Sequence, residues 1–379
     1  MTMTENFDHI RPYYDEEVPA AVKRIVSNES FNLIAKYLFP QNPVEDFRNL
    51  CLQVKTVDDF QGMLMCPILN SIMEKTTHGV TARNFDKVDE SRHYIYICNH
   101  RDILLDAALA DYFLYANKKG AFEITFGSNL MQNDLVIDIG KCNRMFRLVR
   151  GGNSRDFYKN SLEVSSYMRS VVLEKQLSVW IAQRNGRTKN GDDKTEMAVL
   201  KMFSLSSDKP FVENLRELNI CPLIISYEYE PCDFKKTQEV FISRYQRYEK
   251  TPNEDMNSIL HGVMQQKGGI DLVIAPPITE DELTFCDRFE KNQKFQKLAD
   301  IIDQRVYENY KLWPNNYIAY DMLYQSCKYV GKYTEEQKKG FIDYMNGGIA
   351  QLIGDPEELR EIFLSIYANP VCNHEQLFR

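Results

Sequence analysis

Between residues 88 and about 285, short runs rich in β-branched and aromatic residues alternate with longer segments of helical spacing. This alternation constrains the fold more than any other feature of the chain. The strand candidates are HYIYIC (93–98), FEITFG (122–127), FRLVR (146–150), LSVWIA (177–182), CPLIISYEYE (221–230) and GIDLVIA (269–275). Helical patterns lie between most of them, at 103–117, 155–175, 194–205 and 255–266. Parallel neighbours require crossover connections, which are usually helices, so the expected fold class is α/β: a mixed, mostly parallel sheet flanked by helices. In such sheets ligands gather beyond the carboxyl ends of the strands, and the loops there are the places to look for chemistry.

Helical extensions are expected on both sides of this core. Residues 1–87 read as an N-terminal helical region, with apolar residues at helical spacing in VPAAVKRIVSN and FNLIAKYLF, a turn at Asn42-Pro43, and no strand-like alternation. Residues 88–285 form the α/β core. Residues 286–379 read as a C-terminal helical extension rich in Tyr and Lys, with a turn at Trp313–Asn316. A chain of 379 residues is long enough for one large core or two domains.

Composition narrows the function classes. The net charge of −8 argues against nucleic acid as a partner. The nine cysteines show no C-x-x-C spacing and several lie in apolar runs, which fits buried thiols in a reducing, cytoplasmic setting. The six histidines are dispersed with no H-x-x-x-H pair, so no metal site is expected, and no G-x-S-x-G elbow offers a nucleophile. The first residues, MTMTENFDHIRPYYDEE, lack the basic and apolar segments of a signal peptide. No apolar run is long enough to span a bilayer, so any contact with lipid is expected to be peripheral, from one side.

Two constellations carry the chemistry. In the first, the strand YIYIC runs into Asn99-His100-Arg101-Asp102, followed by the helical pattern ILLDAALADYFLYA. His100 is thus placed at a strand's carboxyl end before a helix start. An imidazole there, held by a carboxylate, is suited to remove a proton from a hydroxyl. Asp106 and Asp102 are both candidates for that carboxylate, and Asp102 is equally placed to cap the helix. In the second, twelve Lys or Arg stand against five Asp or Glu between Lys141 and Lys194, in an otherwise acidic protein. Arg144, Arg147 and Arg150 flank one strand, followed by Gly151-Gly152; Arg184, Arg187 and Lys189 lie in QRNGRTKNG after another. Guanidinium forks beside glycines suit a phosphate-bearing ligand.

In this order the pieces resemble the glycerol-3-phosphate and lysophosphatidic acid acyltransferase superfamily. NHRDILLD (99–106) is similar to the family's first block, FRLVRGG (146–152) to the second, VWIAQRNGRTKNG (179–191) to the third and CPLIISYE (221–228) to the fourth. The resemblance implies that His100 deprotonates an acceptor hydroxyl, which attacks an acyl thioester, while Asp106 (with Asp102 competing) orients the histidine. It also implies that Arg150 and Arg187 bind the acceptor's phosphate, and that Asn99, Arg101, Gly186, Thr188 and Pro222 belong to the substrate site. The donor would be acyl-CoA or acyl carrier protein, taken as substrate with no separate cofactor. The acceptor would be glycerol 3-phosphate or lysophosphatidate, and the work would be done at a membrane surface. Two departures stand out. Five residues separate His100 from Asp106 where the family has four, which in a continuous helix would turn the carboxylate by about 100°. Arg184 and Asn185 stand where the family places a glutamate. An amino-acid lipid acceptor, or a non-catalytic lipid or acyl-carrier binding protein of the same fold, remain the alternatives.

Overall fold

The computed structural model describes residues 7–131, 133–149 and 153–378. Seven strands form one sheet: β1 (Thr77–Arg83), β2 (Ile95–Cys98), β3 (Phe122–Gly127), β4 (Met145–Leu148), β5 (Ser178–Ala182), β6 (Cys221–Tyr227) and β7 (Gly268–Ile274). Their spatial order is β1-β7-β6-β2-β5-β3-β4. Every neighbouring pair is parallel except β6 and β7, which run antiparallel, so the sheet is mixed and mostly parallel, with helices on both faces.

The central strands are buried on both sides, as strands covered by helices on both faces must be. Ile95 and Ile97 of β2, with Val179 and Ile181 of β5, point into one core beside the helices Ser154–Leu173 and Asn292–Asn309. Tyr96 and Cys98, with Trp180 and Ala182, point into the other, against the helix Leu105–Ala116. The same period of two divides β6: Ile224 joins the first core, while Leu223, Ile225 and Tyr227 join the second.

One strand departs from the sequence reading. Residues 77–83, read as part of a helical region, form the edge strand β1, which pairs in parallel with β7. It follows directly on the helix Cys66–Thr76, and THGVTAR has no fully buried side. An edge strand held by main-chain pairing to one neighbour needs little apolar alternation, so the signal was absent.

The N-terminal helices Val18–Ser27, Phe31–Leu38 and Val44–Gln53 bury Val22, Phe31 and Cys51 in a satellite core that also takes Cys142 from the helix Asp134–Cys142. Towards the C-terminus, Leu298 and Ile302 of the helix Asn292–Asn309 belong to the sheet's own core, whereas the helices Pro314–Leu323, Glu335–Ile349 and Pro356–Gln376 share a separate one. All nine cysteines are free thiols. Among the described residues, no helix is long and apolar enough to cross a membrane.

Candidate active site

His100 follows β2 in the loop 99–104, and the helix begins only at Leu105. That loop absorbs the extra residue between His100 and Asp106. The His100 ring Nδ1 lies 2.9 Å from Asp106 Oδ2. The same oxygen accepts the backbone N–H groups of Arg101, at 2.6 Å, and Asp102, at 2.9 Å. Asp106 Oδ1 accepts the hydroxyl of Tyr227, at 2.8 Å, from the end of β6. Two backbone N–H groups and a phenol already donate to this carboxyl, so it meets the imidazole as an acceptor, and the hydrogen-bond network assigns the ring proton to Nδ1. Burial and the adjacent Asp106 raise the Tyr227 phenol well above its ordinary value, which keeps it a donor. Nε2 of His100 is then the nitrogen left for a ligand.

Asp102 has a different task. Its Oδ1 accepts the N–H groups of Leu104 and Leu105, at 2.9 and 2.8 Å, closing the turn before the helix. Burial, with Asp106 nearby, raises its carboxyl above the ordinary range. Of the two candidates, Asp106 is the one paired with His100.

His100 lines a cavity of 370 Å³ between the ends of β3 and β5. Trp180, which also lines it, meets the imidazole edge to face at 5.8 Å. Arg187 and Gly186 of the loop after β5 form part of the same wall. Gly186 takes φ +79° with open space where a Cβ would stand, and this turn brings the arginine round. Arg187 is 9% exposed, and its Nη1 has no hydrogen-bond partner among the described residues. Arg187 has no ion pair among the described residues, and a guanidinium of that kind in a cavity wall is suited to an anionic ligand. Arg184, Lys189 and Lys250 add cationic groups to the lining, and Glu239 and Asp255 add carboxylates. Lys189 is paired with Glu239, and Lys250 with Asp255 at 2.5 Å. Burial lowers the Lys189 ammonium to about 8, and Arg187 beside it adds to the shift.

The other expected site residues hold the framework. Thr188 donates its N–H to the carbonyl of His100, at 2.9 Å, and its Oγ1 accepts from the Gly191 N–H, so it ties the β5 loop to the β2 loop. Asn99 is fully buried; its amide brackets Ile225 of β6, accepting from its N–H at 2.8 Å and donating to its carbonyl at 3.0 Å. Arg101 is 1% exposed and is not among the residues lining the cavity. It is paired with Asp193 and with Glu230, which in turn holds Lys236. Pro222 is likewise buried inside β6 opposite Ile97, away from the cavity. Its missing N–H fits a position near the strand's start. Arg150, with Gly151 and Gly152, lies outside the described residues. Arg144 reaches Asp58 and Gln61 of the N-terminal region instead of the cavity.

Sequence reasoning missed the β3 side of the cavity (Thr125 and Gly127), the distant Glu239, Lys250 and Asp255, and Tyr227 behind Asp106. Glu239 and Asp255, from later segments, are the carboxylates that line the cavity. Among the described residues, no group of three His, Cys, Asp or Glu is arranged to hold a metal ion.

No family model and no curated protein sequence matches the chain. Among solved structures, it is similar to the 1-acyl-sn-glycerophosphate (LPA) acyltransferase PlsC from Thermotoga maritima, with a TM-score of 0.40 and 10% sequence identity over 76% of this chain and 91% of that one.

Proposed function

We propose that this protein transfers an acyl group from a thioester to the hydroxyl of a phosphate-bearing acceptor of the glycerol 3-phosphate or lysophosphatidate type. The observation that carries the reading is the pairing, in one cavity, of a buried His100–Asp106 couple with the guanidinium groups of Arg184 and Arg187 in the wall. Such a couple accepts a proton at Nε2 while the carboxylate supports the imidazolium. Arg187, with Arg184 at the same wall, supplies the positive field for a phosphate.

In the proposed reaction the acceptor hydroxyl gives its proton to Nε2 as its oxygen bonds to the thioester carbon. The tetrahedral intermediate collapses, the C–S bond breaks, and the imidazolium returns the proton to the leaving thiolate. A thioester is already activated, so a placed base and charge stabilisation are enough without a covalent acyl-enzyme. The donor is proposed to be acyl-CoA or acyl carrier protein, and the setting the cytoplasmic surface of a membrane, met peripherally. An acceptor bearing an amino group is the second reading, favoured by Glu239 and Asp255 in the wall; their pairing with Lys189 and Lys250 weighs toward the first.

The test is acyl transfer by the purified protein, with both donors and a panel of phosphate and amino-acid acceptors, beside His100→Ala. Transfer to a phosphate-bearing acceptor that disappears in the variant is the expected result. Donor binding without any transfer, equal in the two proteins, would overturn the reading in favour of a carrier-binding role.

A further inference from the structure

A second cavity, of 650 Å³, adjoins the one that holds His100. The two share Asn129, Leu130, Lys250 and Asp255 in their walls. The shared rim is polar and braced: Asn129 Nδ2 donates to Asp255 at 2.9 Å, and Asp255 also holds Lys250. Beyond it, the second cavity lies between the segment after β3 and the segment 250–259, which leads into and opens the helix Glu254–Met264.

The two chambers differ in charge. The chamber with His100 carries Arg184, Arg187, Lys189 and Lys250 against Glu239 and Asp255, whereas the second carries Lys250 against Glu254 and Asp255. A phosphate therefore favours the first and is disfavoured in the second. The second mixes side-chain amides and a hydroxyl (Asn129, Asn133, Asn253, Thr251) with apolar Met256 and Ile259. Asn129, Asn133 and Thr251 already bond Asp255, the Val136 N–H and Glu254, but Asn133 and Asn253 are exposed, and a purely hydrocarbon chain would strip water from their amides without replacing its hydrogen bonds. A neutral chain bearing its own amides would replace them.

Acyl transfer brings three groups together at the reacting carbon: the acceptor, the acyl chain and the arm that carries the sulfur. We infer that the second cavity is the subsite for the donor's pantetheine arm, the amide-bearing chain that acyl-CoA and acyl carrier protein have in common. The inference rests on the acyl-transfer reading and assigns the acceptor to the arginine side and the carrier arm to the side formed by residues 250–259. The Lys250–Asp255–Asn129 bridge then stands where the arm passes from one chamber to the other.

The test uses the full chain and an unreactive mimic, S-alkyl pantetheine, with glycerol 3-phosphate as the control ligand, both measured by calorimetry. Met256→Trp fills the chamber, and Thr251→Trp narrows its lip from an exposed position. The expected result is a tenfold or greater rise in the mimic's Kd in both variants, with the Kd for glycerol 3-phosphate within twofold of wild type. S-alkyl CoA and S-alkyl acyl carrier protein should lose affinity together, since the shared arm is what the chamber reads; loss confined to one of them would overturn the assignment to the arm. A loss that grows with alkyl length would place the acyl chain in this chamber and overturn the inference, as would an unchanged Kd in folded variants. Weakened mimic binding in a protein that never binds glycerol 3-phosphate would sink the phosphate-acceptor reading and leave the arm subsite standing.

Discussion

Replacing Asp106 by asparagine keeps the side chain's shape and removes its charge, and the surrounding donors dictate the outcome. Oδ2 faces two backbone N–H groups that cannot reverse, those of Arg101 and Asp102, and the His100 Nδ1, whose role depends on the tautomer. Oδ1 faces the Tyr227 hydroxyl, which can. The amide oxygen therefore takes the Oδ2 place, and its NH2 turns to Tyr227, whose hydroxyl rotates to accept. All four contacts survive as neutral hydrogen bonds. Each drops from about 1.5–3 to about 0.5–1.5 kcal/mol, a gross loss of about 5 kcal/mol over the set. The amide also escapes the desolvation cost of a buried ion, which is several kcal/mol, so net stability should move by no more than about 2 kcal/mol. The reaction has no such offset. As His100 takes the hydroxyl proton, its imidazolium loses the anion at Nδ1, and kcat should fall by about 10²–10⁴, or about 3–5 kcal/mol of barrier. The assay is steady-state acyl transfer beside a urea titration of the same preparation. A folded Asp106→Asn protein with kcat within about threefold of wild type would refute the role given to the pair, because so small a change leaves no room for a charge in the transition state.

Arg187→Ala should raise the acceptor KM by about 10–100-fold and leave the donor KM unchanged, since a hydrogen bond to a charged group is worth about 1.5–3 kcal/mol; equal effects on both substrates would remove Arg187 from the acceptor site. Lys189 sits in the same wall with its ammonium lowered to about 8. The affinity for an anionic acceptor should therefore decline as pH rises through 8; Lys189→Met should flatten that limb, and an unchanged profile in the variant would assign it to another group. Asp111, away from the cavity, is raised from 3.8 to about 7, chiefly by burial, and accepts from Gln61 at 2.7 Å. The folded protein thus keeps a proton that the unfolded chain releases: the stabilisation is complete below the unfolded value of 3.8 and is lost as pH rises to about 7. Asp111→Asn should match wild type near pH 4 and exceed it by on the order of a few kcal/mol at pH 8, read as a shift in the urea midpoint; coincident midpoints at pH 8 would show that Asp111 ionises in the fold at little cost.

The sheet was legible where its strands are buried on both sides. IYIC, FEITFG and SVWIA are rich in apolar and β-branched residues because helices cover both faces, with the buried Glu123 paired to Tyr167 and Lys175, and turn residues mark their ends. THGVTAR was illegible for the opposite reason: β1 is an edge strand with no fully buried residue, and only Val80 and Ala82 are turned to the core, too short an alternation to read. The C-terminal segment gave its helices by spacing, but spacing has no way to show that Leu298 and Ile302 fill the sheet's core while Phe341 and Phe363 fill another. That partition is decided by which faces meet in space.

The site shows the same division between what is local and what is assembled. His100 and Asp106 are six positions apart, so one loop and one helix start bring them together, and NHRDILLD contained both. The competition with Asp102 was settled by the backbone: Asp102 lies two and three residues before the N–H groups it caps, so its oxygen was already engaged in the turn, while Asp106, on the helix's first turn, faces back over the loop. Arg187 and Arg101 were equivalent as letters. Their fates differ because Arg101 meets Asp193 and Glu230 in the interior, whereas Arg187 has no ion pair among the described residues and lines the cavity. An arginine's availability to a ligand depends on the carboxylates that other segments bring to it, and those arrive from residues 193, 230, 239 and 255, far along the chain. A reading of local motifs therefore finds the proton-transfer pair readily and the cations approximately. It has no purchase on the carboxylates that decide which cation stays free, and specificity for one anionic acceptor over another is set there.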